Sequence, residues 1–265
     1  MSILGGSVML LLSLTLAAAL YAPQQPAPPP DPLKVKAAVA ELARAFEKGL
    51  ASECVAAIQN ATPLIDASVI EGIARGLKSG DKLVVSAALE ALRAMPHAKS
   101  SSALVGVFER DKKLRKDPEL AVKLVKAIGQ HQFASTREVL AAGGVNDDAG
   151  PVIEARILAI ANVRSVESVE TLIAMMRTAG REKIAPYLPT FRVALMRLVG
   201  EDAGHTQEAW MSWWGEHKKG LEVSAQAAPM PREQQLRWDS FWGNEIDQGR
   251  SKKRGERGND GVGGK

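Results

Sequence analysis

One repeat governs what this chain can fold into. The pairs Ala57-Ile58, Ala94-Met95, Ala127-Ile128, Ala159-Ile160 and Arg197-Leu198 close successive apolar runs at intervals of 37, 33, 32 and 38 residues. The residues after these pairs are also related: "AIQNATPLIDASVIEGI", "AMPHAKSSSALVGVF" and "AIANVRSVESVETLIAMM" each give a short polar turn and then another run of apolar residues at helical spacing. A unit of about 35 residues with two helices cannot bury its apolar side alone and must stack on its neighbours. The expectation is an all-α chain, an α-solenoid of about five helical hairpins over residues 33–222.

Local signals divide the chain the same way. The middle is rich in Ala, Leu, Val, Glu, Lys and Arg, and only five Trp, five Phe and two Tyr are aromatic, a balance that favours helix. Asp81 after Gly80, and Asp117 before Pro118, read as helix N-caps. Ser68 with Glu71 has the spacing of a capping box, Gly150-Pro151 opens a helix, and Gly180 and Gly200 stand where C-terminal caps belong.

On these residues the chain resembles the HEAT-repeat family. "SGDKLVVSAALEALRAM" and "KDPELAVKLVKAIG" are similar to the second helix of that repeat, with its turn aspartate and its small and aliphatic positions, and the resemblance covers about residues 33–200. It implies stacked helical pairs and a face, lined by the second helices, that binds proteins or peptides. The family commonly has a basic residue beside the valine early in this helix, whereas the matching pairs here are Val84-Val85 and Leu120-Ala121. A regular basic ladder is therefore not expected. "GEDAGHTQEAWMSWWGEHK" resembles the W-x-x-W-W ending found after HEAT-like repeats in exported bacterial proteins.

Within that ending, Trp210, Trp213, Trp214, His217 and Leu221 fall at i, i+3, i+4, i+7 and i+11, one stripe of a helix that Thr206 would cap. The end of a stack has an uncovered apolar face. Residues 204–222 are expected to cover it as a structural capping helix built on Trp210, Trp213 and Trp214.

The two ends have different compositions. "MSILGGSVMLLLSLTLAAALYA" (residues 1–22) has no charged side chain and reads as a signal peptide or, at just the length needed to span a bilayer, an N-terminal anchor. "PQQPAPPPDP" (23–32) reads as an extended proline-rich linker. Export to the periplasm or cell envelope is the expected localisation. Cys54 is the only cysteine, so no internal disulfide can form and packing alone must hold the domain; in "ECVAAI" it reads as a small buried hydrophobe.

The tail, 223–265, is sparse in apolar residues except for "PREQQLRWDSFWGNEI". There Leu236, Trp238, Phe241 and Trp242 lie close together, and two readings stay open: a short helix docking back on the array, or an exposed peptide whose Trp238, Phe241 and Trp242 bind a partner. The end "SKKRGERGNDGVGGK" is composed like a disordered basic segment.

No constellation for catalysis emerges. H-E-x-x-H, G-x-S-x-G, C-x-x-C and a phosphate-cradling Gly loop are all missing, so no catalytic residue, cofactor or metal is assigned and the chain is read as a non-enzyme. His205 and His217, with Glu208 between them, would stand about 18 Å apart on a helix, too far for one ion. "NDDAG" (146–150) lacks the spacing of a calcium loop and reads as a solvated turn capped by Asp148 or Gly150.

"RDKKLRK" gathers Arg110, Lys112, Lys113, Arg115 and Lys116, a candidate contact for an acidic partner and equally an inter-helix turn with cations at a helix C-terminus. Across residues 33–222, 26 Lys and Arg stand against 23 Asp and Glu, too even a balance for a nucleic-acid footprint. The expected function is a non-catalytic interaction or scaffold module, a monomer with a protein or peptide partner. Polyanion binding, or an accessory role like that of solenoid relatives of bilin lyases, are the alternatives.

Overall fold

The computed structural model describes residues 29–146 and 148–244; the N-terminal segment 1–22 and the basic end 251–265 lie outside them. Among the described residues every regular element is helical. In chain order these are α1 (Pro32–Lys48), α2 (Ala51–Ala61), α3 (Ala67–Ala74), α4 (Lys82–Ala94), α5 (Ala98–Arg110), α6 (Lys112–Arg115), α7 (Pro118–Gln130), α8 (Ala134–Ala141), α9 (Gly150–Asn162), α10 (Val166–Ala179), α11 (Arg181–Ile184), α12 (Leu188–Val199), α13 (Gln207–His217) and α14 (Arg232–Trp242).

The starts follow capping chemistry. Asp31, Asp66, Asp81 and Asp117 each accept a hydrogen bond from an amide in the first turn of the helix they precede, and Ser165 and Thr206 do the same for α10 and α13. The capping box expected at Ser68 and Glu71 does not form. Asp66 takes both the amide (2.8 Å) and the hydroxyl of Ser68, and Glu71 pairs with Lys99 of α5. A carboxylate two residues upstream is the stronger acceptor, so the Ser68 hydroxyl donates instead of capping. Gly200 ends α12 at φ 78°, a left-handed conformation that side chains with a Cβ avoid.

Packing sorts the helices into two files. In the first, α1, α3, α5, α8, α10 and α13 touch in that order; in the second, α2, α4, α7, α9, α12 and α14 do. Contacts within the pairs α1–α2, α3–α4, α5–α7, α8–α9 and α10–α12 join the files. A single apolar core runs between them, from Leu42 and Ile58 through Leu89 and Leu124 to Ile157 and Phe191. The second file is tightest at Gly129 of α7, where an added Cβ would stand 2.6 Å from that of Ala159 on α9. Only glycine admits this approach, which Asn162 seals by donating to the Gly129 carbonyl at 3.1 Å.

His131, just past α7, bridges along the second file: its Nε2–H donates to the Leu92 carbonyl of α4 at 3.0 Å. Burial pushes its pKa below the ordinary 6.5 despite that bond. The fold thus holds a neutral imidazole that the unfolded chain protonates more readily, so its contribution is whole above about pH 6.5 and fades as pH falls below it. Thermal melts at pH 7 and pH 5 should show a larger loss of stability for the wild type than for His131→Gln. Equal losses would contradict this assignment.

Candidate partner-binding face

α4 carries two apolar faces. Val84, Val85, Ala88, Leu89 and Leu92 turn into the core, while exposed Leu83, half-buried Ala87 and buried Ala91 fall in line on another side at i, i+4 and i+8. Leu83 is 68% exposed although it sits in a folded apolar helix. Facing it, α2 presents Ala51, Val55 and Ala56. Together they wall an open groove of about 930 Å³ on the outside of the second file.

Some polar groups at its margin are already engaged. Glu90 pairs with Arg93 at 2.9 Å, and Ser86 accepts a 2.7 Å hydrogen bond from Lys123. Ser52 and Gln59 also line it, and alanines line it where a second backbone could come close. The shape and chemistry suit a row of apolar side chains from another helix. The signal in the sequence is "LVV" at the start of α4: three consecutive apolar residues cannot share one face of a helix.

The same file is already covered further along. α14 lies on α12 and α9, burying Trp238 and Trp242. Arg197 stacks over the Trp238 ring at 5.0 Å, and Lys126 approaches the Phe241 ring at 5.7 Å. Of the two sequence readings for the tail, the docked helix is the one found, and the core extends past residue 222 to Trp242. Trp238 and Trp242 are therefore closed to an outside partner while α14 is seated, and Phe241 is half-buried.

The strap between α13 and α14 is held at Arg164. Its guanidinium donates to the Ser224 carbonyl at 2.7 Å, and to the Arg197 and Leu198 carbonyls at the end of α12 at 2.5 and 3.2 Å. One arginine thus closes the C-terminus of α12 and ties down the strap.

The tryptophans of α13 divide unevenly. Trp210 is 1% and Trp213 8% exposed, with their rings edge to face at 5.9 Å; Trp210 Nε1 donates to the Gly204 carbonyl and Trp213 Nε1 to Glu201. Trp214 is half-buried, and His217 is exposed, stacked on Trp213 at 4.7 Å. The buried stripe is thus narrower than the spacing implies. α13 packs on α10, its neighbour in the first file. His205 precedes the helix and contacts Arg192 at 3.1 Å, far from His217 in role and neighbours.

Within the basic segment the two arginines are engaged and the three lysines are exposed. Arg110 turns back so that its Nε donates to the Gly106 carbonyl at 3.0 Å, and Arg115 stacks over Phe108 at 5.3 Å. Lys112, Lys113 and Lys116 are interleaved with Asp111, which caps α6, and with Asp117, whose carboxyl Lys82 holds below the usual range. Leu114 is buried among them, so this turn also anchors α6 to the core.

"NDDAG" needs correction. Asp148 neither caps α9 nor stands in solvent; it is paired at 2.8 Å with Arg156, which is 1% exposed on α9. Arg156 also donates to the Leu140 carbonyl at 2.6 Å and to the Ala142 carbonyl. Sequence reasoning misses this centre because an arginine within "EARILAI" gives no local sign of facing inward. Among the described residues no three His, Cys, Asp or Glu side chains are placed to hold a metal ion.

The fold and face define an all-α protein with an open apolar groove on one file of packed helices. In comparisons with known proteins, no family model and no curated protein matches the chain.

Proposed function

We propose that the chain is a HEAT-like α-solenoid, exported to the cell envelope, that acts as a non-catalytic interaction module by taking a partner's amphipathic helix in the α2–α4 groove. The neighbour-to-neighbour order of the two files and the repeat of about 35 residues support the architecture. The apolar N-terminal segment supports export. Among the described residues no helix is long and apolar enough to cross a membrane.

One observation carries the function: Leu83, on a folded helix, holds its side chain out over a groove walled by alanines and valine. Isolated exposed leucines are ordinary, but one set in a continuous apolar groove marks a contact surface. Covering it would contribute about 1 to 2 kcal/mol to binding. Replacing Leu83 with Glu puts an unpaired charge there without touching the core. Affinity capture from the native envelope fraction should lose its partner with Leu83→Glu, while the melting temperature stays within about 2 °C. Undiminished capture would overturn the assignment.

A further inference from the structure

We infer that α14 is a built-in occupant of a second helix-binding stretch on the same file, and that a partner helix carrying aromatic residues at i, i+3 and i+4 and an acidic residue between them binds α9 and α12 by displacing it. This rests on the interaction role proposed for the chain and extends it to a site now covered.

α14 displays what this stretch accepts. Trp238, Phe241 and Trp242 form its contact stripe at i, i+3 and i+4, and the cations Arg197 and Lys126 lie against two of those rings. The acids of α14 answer the bases beneath: Asp239 acts on Arg197, and Glu233 on Arg192. Arg197 and Lys126 are both held below their ordinary pKa by burial beside this helix, so each regains hydration when it leaves.

Three features make α14 separable from the rest. It joins α13 through a strap, residues 218–231, without helix, tied at Arg164. Its N-terminus, after Pro231, has no side-chain cap. The Trp242 indole N–H is buried without an acceptor, a bond it would make with water on release. By contrast, both tryptophan indoles buried in α13 have their acceptors. Space also opens along the flank of α14, between Phe241 and Ser240 on one side and Leu158 and Val193 on the other. An incoming helix can therefore begin contact before α14 has left.

The test uses the full chain and a labelled synthetic peptide of residues 231–243. Trp238→Ala/Trp242→Ala should keep its helical circular dichroism, free the stretch, and bind the peptide saturably; the wild type should bind it about tenfold more weakly, because its own tethered helix competes at high effective concentration. A peptide with both tryptophans replaced by alanine should not bind either chain. Equal binding to wild type and variant, or none to the variant, overturns the inference.

Should the double variant fail to fold, hydrogen exchange in the wild type decides. Amides of α14 exchanging well ahead of those of α9 and α12 support a helix that leaves by itself; exchange of α14 only with global unfolding refutes it. Leu83→Glu should leave peptide binding intact. Peptide binding without capture at Leu83 would therefore sink the groove reading alone, and capture at Leu83 without peptide binding would sink this one alone.

Discussion

Asp148→Ala is expected to destabilise the chain by about 3 kcal/mol, because it removes a carboxylate held 2.8 Å from the buried Arg156 guanidinium. Other donors of Arg156 reach the Leu140 and Ala142 carbonyls at the end of α8. Arg156→Met should cost more, since it leaves those carbonyls and Asp148 without their partner together. Asp148→Asn, which keeps an acceptor in place, should fall between wild type and Asp148→Ala. Urea unfolding followed by circular dichroism measures all three. A change for Asp148→Ala within about 0.5 kcal/mol, the range of an ordinary surface substitution, would contradict the buried-pair account.

The second large effect is on α13. Trp210→Ala removes an almost fully enclosed ring and its hydrogen bond to the Gly204 carbonyl, and should cost about 3 to 5 kcal/mol. Trp214→Ala removes a half-buried ring and should cost about 1 kcal/mol, nearer an ordinary single substitution. Trp213, stacked on His217 and bonded to Glu201, should fall between them. The order is what distinguishes a structural helix from a ligand platform. Unchanged stability for Trp210→Ala would reverse the structural reading of the tryptophan cluster.

What is legible in the sequence is local. Asp81, Asp117 and Thr206 cap where they stand, and Gly150-Pro151 starts α9, because a cap depends on the next two or three amides and little else. Competition between neighbours defeats the same reasoning at Ser68, where Asp66 is the nearer and stronger acceptor. Helical spacing also places Trp238, Phe241 and Trp242 on one side of a helix. Whether that side docks depends on Arg197 and Lys126, residues 41 and 115 positions away from their ring partners, and no local pattern reports on those.

Arg156 and Leu83 escape sequence reasoning for opposite reasons. A charge in an apolar helix reads as an outward residue, but partners 8, 14 and 16 residues earlier in the chain make burial possible. An apolar residue in an apolar helix reads as core, but α4 meets α2 on one side and leaves Leu83 outside. The groove is made by two helices jointly, so "LVV" marks a surplus apolar residue on α4 without showing what faces it.

Whether a partner seats against Leu83 decides the proposed function. A photo-crosslinking side chain at position 83, with a second at Leu33 as an equally apolar and exposed control outside the groove, measures that contact directly in intact cells. One discrete crosslinked partner from position 83 and none from position 33 is the predicted result. Equal labelling from both positions, or no adduct from 83, would contradict the groove as the binding site.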